Sequence, residues 1–101
     1  MPIPGDLRAL DARAVLQGES IGFEAETRLT DAQAVDRKVS LKKRDARLDR
    51  MVLVVADTRS NRAFLTRHRE SLRSSFPLDT RAILAALSAG QAPDGDGIAV
   101  L

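Results

Sequence analysis

Residues 51–56 constrain the fold of this chain more than any other feature of its sequence. They read Met-Val-Leu-Val-Val-Ala, an uninterrupted apolar run that is rich in β-branched residues. Such a run is typical of a strand that is covered on both faces, as in sheets with parallel strands flanked by helices. The sequence therefore predicts an α/β domain built around this strand.

Two alternating segments precede the buried strand. Residues 10–16 and 21–29 each alternate between two side-chain classes with a period of two, and a turn-forming Gln-Gly-Glu-Ser separates them. This pattern predicts a β-hairpin. A helix is predicted from about residue 31 to residue 44, with Thr30 and Gln33 forming a capping box at its start.

The remaining elements complete a mixed sheet. Residues 57–74 predict a second helix, residues 81–89 an apolar third helix, and residues 98–101 a short last strand that is central or parallel. The order ββαβααβ combines an N-terminal hairpin with a β-α-β crossover, so the predicted fold is α/β with a mixed sheet.

Composition limits the function classes. The chain has 101 residues and no cysteine, which indicates one domain and excludes disulfides and thiol catalysis. No apolar run is long enough to span a membrane, and the N-terminal sequence lacks the pattern of a signal peptide. We therefore expect a cytoplasmic protein with no membrane partner.

Charge is unevenly placed along the chain. Residues 1–36 hold three Arg against seven acidic residues, residues 37–50 hold seven Lys or Arg against two Asp, and residues 59–73 hold five Arg against one Glu. An acidic hairpin beside basic helices suits nucleic acid that is held by cations and cleaved at a metal. The alternative is that these charges belong to solvated helix faces.

Three acidic residues of the predicted hairpin form a candidate metal site. Glu24 and Glu26 leave the same face of their strand, and Asp11 begins the neighbouring strand. Carboxylates of this kind hold Mg²⁺ or Mn²⁺, which prefer oxygen ligands. The alternative is that Glu24 and Glu26 form the solvent face of an edge hairpin and are paired with Arg or Lys.

The order Asp11, then Glu24-Ala-Glu26, then a basic helix and a buried strand resembles the PD-(D/E)xK nucleases, the restriction-endonuclease-like superfamily. The resemblance implies that Asp11 and Glu24 are metal ligands. Glu26 stands where that family usually has Lys, so Lys38 or Lys42 on the following helix would supply the cation. It also implies metal-dependent cleavage of nucleic acid. From the charge of the predicted helices we expect phosphate contacts from four cations: Arg37, Lys43, Arg59 and Arg62.

A longer resemblance covers nearly the whole chain. The runs Ile-Pro-Gly-Asp-Leu-Arg-Ala-Leu-Asp, Glu-Ala-Glu-Thr-Arg-Leu and Val-Leu-Val-Val-Ala-Asp-Thr-Arg-Ser-Asn-Arg are similar to the domain that follows the helix-turn-helix in actinobacterial XRE-type regulators. Residues 1–101 would then be a single domain without the helix-turn-helix. Its segment 57–62 is expected to place Arg59 and Arg62 over the carboxylates, or else to form a helix cap with an Arg–carboxylate pair.

Three functional hypotheses follow. The first is a Mg²⁺- or Mn²⁺-dependent nuclease acting on DNA or RNA, in which Glu24→Ala abolishes cleavage and leaves the fold intact. The second is a catalytically inactive regulatory or dimerisation domain of a DNA-binding transcriptional regulator, which would bind a partner protein or form a homodimer. The third is a basic nucleic-acid-binding module without chemistry, which the scarcity of aromatic residues, three Phe in all, disfavours.

Overall fold

The computed structural model of the protein describes residues 12–101. The elements in chain order are β1 (Ala12–Leu16), β2 (Glu19–Glu26), α1 (Ala32–Asp45), β3 (Arg50–Val55), α2 (Arg59–Arg67), α3 (Arg69–Ser75), α4 (Thr80–Ser88) and β4 (Gly97–Val100). The predicted α/β class is confirmed. Asp11 and the first residues of the predicted first strand lie outside the described part of the chain.

One four-stranded mixed sheet, in the order β1-β2-β3-β4, organises the domain. β1 and β2 are antiparallel, while β3 is parallel to both β2 and β4. Gln17 and Gly18 both have positive φ at the hairpin turn, as two-residue turns between twisted strands require. The mixed sheet predicted from the hairpin and the crossover is therefore confirmed.

β3 is the buried strand that the apolar run predicted, and it separates two apolar cores. Met51, Leu53 and Val55 pack with residues of α1, α2 and α3 on one face. On the other face Val52 packs with Ile83 of α4. Both faces are covered because helices lie on each side of the sheet, which explains why this strand has no polar alternation.

β4 is parallel to β3, as one of the two predicted alternatives states, but it lies at the edge of the sheet. Its first residue is Gly97, and a larger residue would not fit there because the position has no room for a side chain. A Cβ atom there would lie 2.6 Å from the carbonyl oxygen of Leu78. Ile98 packs against the core on the α1 side of the sheet and Ala99 against the core on the α4 side, so β4 is apolar although it is an edge strand.

Helix boundaries differ from the predicted ones in two places. The carboxylate of Asp31, not the hydroxyl of Thr30, caps α1 by accepting hydrogen bonds from the backbone N–H groups of Gln33 and Ala34. The helix predicted over residues 57–74 is divided at His68 into α2 and α3. The described helices include none that is long and apolar enough to cross a membrane.

Candidate functional site

β2 and α1 bring four of the predicted site residues together: Glu24, Glu26, Lys38 and Lys42. The two glutamates are two residues apart on β2 and leave the sheet on the same face. The two lysines are four residues apart on α1, so they lie on one side of that helix. We call these four residues the Glu–Lys cluster.

The inner part of the Glu–Lys cluster is a buried ion pair. Lys42 Nζ lies 2.8 Å from Glu24 Oε1, and each side chain is only 5% exposed. Glu24 is opposite Leu53 in the sheet register, so its carboxylate sits beside the apolar core under α1. Oε1 accepts no well-directed hydrogen bond from residues 12–101, and the nearby ammonium compensates its charge.

The outer part of the cluster is open to solvent. Lys38 Nζ lies 2.5 Å from Glu26 Oε1 and 3.7 Å from Glu24 Oε2, with 37% of the lysine and 22% of the Glu26 side chain exposed. The hydrogen bond to Glu26 raises the pKa of Lys38 above its ordinary value. Partial burial opposes this shift, and the charges of both glutamates reinforce it. Lys38 therefore stays cationic at neutral pH.

The position of the cluster in the sheet is one where α/β proteins bind ligands. Glu26 is the last residue of β2, and its register partner Val55 is the last residue of β3. The carboxyl ends of β2, β3 and β4 lie at one edge of the sheet because these strands are parallel. The open side of the cluster thus faces that edge.

Glu24 and Glu26 offer carboxylate oxygens of the kind that hard cations take. Within residues 12–101 no group of three or more His, Cys, Asp or Glu side chains is placed to hold a metal. Mg²⁺ is commonly bound by one or two carboxylates together with waters and substrate phosphates. The two glutamates therefore fit such an ion where it replaces the Lys38 ammonium group beside Glu24 Oε2 and Glu26, while Lys42 stays on Glu24 Oε1. Asp11, the third predicted ligand, lies outside the described residues.

The four predicted phosphate contacts lie apart from the two glutamates. Arg62 forms a bidentate pair with the carboxylate of Asp57, and this hydrogen bonding lowers the pKa of Asp57. Lys43 Nζ lies 2.8 Å from Asp96 Oδ2. Arg37 and Arg59 are exposed. In the described structure none of these four cations forms an ion pair with Glu24 or Glu26.

Asn61 is a buried polar residue that the sequence did not single out as a site or a structural residue. Its side chain is fully buried, and Nδ2 donates to the carbonyl oxygens of Thr27 and Ala56 at 3.0 and 2.9 Å. Oδ1 accepts from the backbone N–H of Leu29 at 2.9 Å. This clamp ties the end of β2 to the end of β3, and it explains why β2 ends at Glu26 rather than at residue 29.

Asp96 has a similar structural role in the turn before β4. Its Oδ1 accepts from the backbone N–H of Met51 at 2.8 Å, while Oδ2 binds Lys43. The carboxylate therefore joins α1 to the start of β3.

Comparison with family models, with curated proteins and with solved structures finds no match to this chain.

Proposed function

We propose that the Glu–Lys cluster is the core of a metal-dependent nuclease site. The observation that carries this proposal is the convergence of two of the three predicted carboxylates with both predicted lysines, at nitrogen–oxygen distances of 2.5 to 3.7 Å. A buried ion pair contributes little net stability compared with apolar residues of the same size. Titratable groups held in such a setting at a ligand-binding edge are candidates for function.

The proposal includes a restriction-endonuclease-like arrangement of the fold. An antiparallel hairpin carries Glu24 and Glu26, and the helix that follows it carries Lys38 and Lys42. Lys42 or Lys38 would then occupy the role of the lysine that the PD-(D/E)xK pattern usually has at the place of Glu26. The buried strand β3, which is parallel to β2, follows this helix.

The four residues of the cluster have three roles in this proposal. Glu24 and Glu26, together with Asp11, hold Mg²⁺ or Mn²⁺. Such an ion, when bound, neutralises charge on the phosphate and lowers the pKa of a bound water. Lys42 fixes the orientation of the Glu24 carboxylate from inside the core. Lys38 is the more exposed cation and contacts the phosphate of the substrate.

The decisive measurement is cleavage of supercoiled plasmid, single-stranded DNA and RNA with Mg²⁺ or Mn²⁺. Glu24→Gln keeps the shape of the side chain and removes its charge, and Lys38→Met removes the exposed ammonium. We expect each substitution to lower the cleavage rate by about a hundredfold or more, because a preorganised charge is lost. Asp57→Asn is the matched control, since it neutralises an exposed carboxylate outside the cluster.

The result that would contradict the proposal is a folded protein that cuts none of the three substrates in either metal. Cleavage that persists unchanged in Glu24→Gln would contradict it as well, because the activity would then come from elsewhere or from a contaminant.

A second candidate function is a catalytically inactive regulatory or dimerisation domain, as the resemblance to XRE-type regulators implies. The observation that favours it is that Lys42 and Lys38 already neutralise both carboxylates. A cation would then gain little by binding, so added Mg²⁺ or Mn²⁺ should leave the melting temperature unchanged. A metal-dependent rise in melting temperature that Glu24→Gln abolishes would instead support the nuclease.

A further inference from the structure

A groove that does not include the Glu–Lys cluster is bordered by two arginines. It lies between α3, the start of α4 and β4, and its volume is about 340 Å³. Leu65, Leu72, Leu78 and Ile98 contribute apolar side chains to it, and two arginines of α3 border it. We call it the α3–α4 groove. None of the four residues of the Glu–Lys cluster lines it.

The two arginines of the α3–α4 groove, Arg69 and Arg73, are four residues apart on α3 and therefore project from one side of that helix. Both are exposed, and neither forms an ion pair with any residue in the range 12–101. Asp79, the acidic residue that lines the groove, caps α4 by accepting a hydrogen bond from the backbone N–H of Ala82. Asp79 therefore pairs with neither arginine, and both guanidinium groups have room for a carboxylate from a ligand.

A ligand in the groove is bound through its side chains and does not extend the sheet by pairing as a strand with β4. β4 is an edge strand, but its outer backbone N–H groups already have acceptors. Ile98 N donates to the carbonyl oxygen of Leu78 at 3.2 Å, and Val100 N donates to Thr80 Oγ1 at 2.9 Å. Pairing with a further strand would break these hydrogen bonds, so recognition there depends on apolar and charged side chains.

The lining of the groove also disfavours nucleic acid as its ligand. Single strands are commonly bound by stacking bases on exposed aromatic rings. Phe76 is the aromatic residue that lines the groove, and it is 5% exposed, so its ring is part of the core. An apolar floor bordered by two unpaired arginines is complementary to a segment with apolar side chains and carboxylates.

We propose that the α3–α4 groove binds an acidic peptide segment of a partner protein. Apolar side chains of the segment fill the floor formed by the half-buried Leu65, Leu78 and Ile98, and its carboxylates pair with Arg69 and Arg73. Arginine is well suited to this task because its planar guanidinium binds carboxylates in a bidentate manner. The surface is independent of the Glu–Lys cluster and of the nuclease proposal.

The test is a selection of short random displayed peptides on the immobilised protein, followed by binding measurements with the selected peptides as fluorescent probes. We expect the selected sequences to share acidic and large apolar residues. Arg69→Glu/Arg73→Glu should weaken their binding by roughly tenfold or more, because two charge-assisted contacts become repulsive. Arg28→Glu/Arg67→Glu is the matched control, since it reverses two exposed arginines that do not line the groove.

Thermal melts of both double variants separate loss of binding from loss of folding. Selected peptides that lack acidic residues, or whose binding is weakened equally by both double variants, would overturn the proposal. A selection that yields no binding peptide would overturn it too. Labelled single-stranded DNA is the second probe: if Arg69 and Arg73 are required for its binding while no peptide depends on them, the groove belongs to nucleic acid and the peptide proposal is wrong.

Discussion

Two carboxylate–cation pairs lie near the same edge of the sheet, in opposite environments. In the Glu24–Lys42 pair each side chain is 5% exposed, whereas in the Asp57–Arg62 pair the arginine is 64% and the aspartate 45% exposed. Solvent screens the exposed pair, so its contribution to the free energy of unfolding is small. The buried pair is screened little, so each of its charges depends strongly on the other.

The stability that an intact ion pair contributes differs from the stability that is lost when one partner is removed. Replacing a buried ion pair by apolar residues of similar volume is often neutral for stability, while removing one partner leaves a buried charge without compensation. The exposed pair has no such asymmetry, because water solvates whichever partner remains. Sequence spacing alone does not distinguish the two cases, since both are an acid and a base close in the fold.

The largest effect is expected at the buried pair. Glu24→Ala should lower the free energy of unfolding by about 3–5 kcal/mol, because it removes the carboxylate that faces the buried Lys42 ammonium at 2.8 Å. The double variant Glu24→Leu/Lys42→Met should recover most of that loss. Urea denaturation of the two variants beside the unmodified protein measures both values.

A small decrease in the free energy of unfolding of Glu24→Ala would contradict the contrast between the two pairs, because it would mean that Lys42 reaches water or another partner when Glu24 is absent.

The burial of Glu24 also changes one expectation from the sequence, namely that Glu24→Ala would leave the fold intact. Its surroundings make it both a structural and a candidate chemical residue. Glu24→Gln is consequently the better substitution for the cleavage assay.

The sequence points to these four residues partly through periodicity and partly, for Lys38 and Lys42, through the PD-(D/E)xK resemblance, and simple periodicities explain why they meet. Glu24 and Glu26 share a face through the period of two in a strand, and Lys38 and Lys42 share a side through the four-residue spacing of a helix. The apolar run likewise predicts β3, which is covered on both faces. These features depend on local geometry and on which elements are adjacent in the chain.

What the sequence does not predict depends on contacts between distant segments. Asn61 binds Thr27 and Leu29, more than thirty residues before it in the chain. An Asn in a polar stretch is equally typical of an exposed helix start, so nothing local indicates its burial. The predicted end of β2 at residue 29 is wrong for the same reason, because the hydrogen bonds of Asn61 to Thr27 and Leu29 end the strand at Glu26.

The second largest effect on the free energy of unfolding is expected at Asn61, a buried polar residue without charge. Asn61→Ala removes three hydrogen bonds and leaves the N–H of Leu29 without its acceptor. We expect the free energy of unfolding to fall by about 3 kcal/mol, somewhat less than for Glu24→Ala. Ser60→Ala, at the exposed neighbouring position, is the control and should change stability little.

Urea denaturation again gives the measurement. A loss in Asn61→Ala that exceeds the loss in Glu24→Ala would reverse the order of the two buried groups. The hydrogen-bonded clamp, rather than the ion pair, would then be the principal polar determinant of this edge of the sheet.

The smallest effect is expected at the exposed pair, where pH provides the sharpest test. The hydrogen bonds from Arg62 lower the pKa of Asp57 below its ordinary value of 3.8. A lowered pKa in the folded state stabilises the protein at pH values above the ordinary one, and this contribution is lost as pH falls through the lowered pKa. Arg62→Gln should therefore lower the melting temperature slightly at neutral pH. The melting temperatures of the two proteins should approach each other as pH falls past the ordinary pKa of Asp57 and should coincide only below its lowered pKa. A large drop at neutral pH, comparable to that of Glu24→Ala, would show that exposure does not weaken this pair, and the contrast between the two pairs would fail.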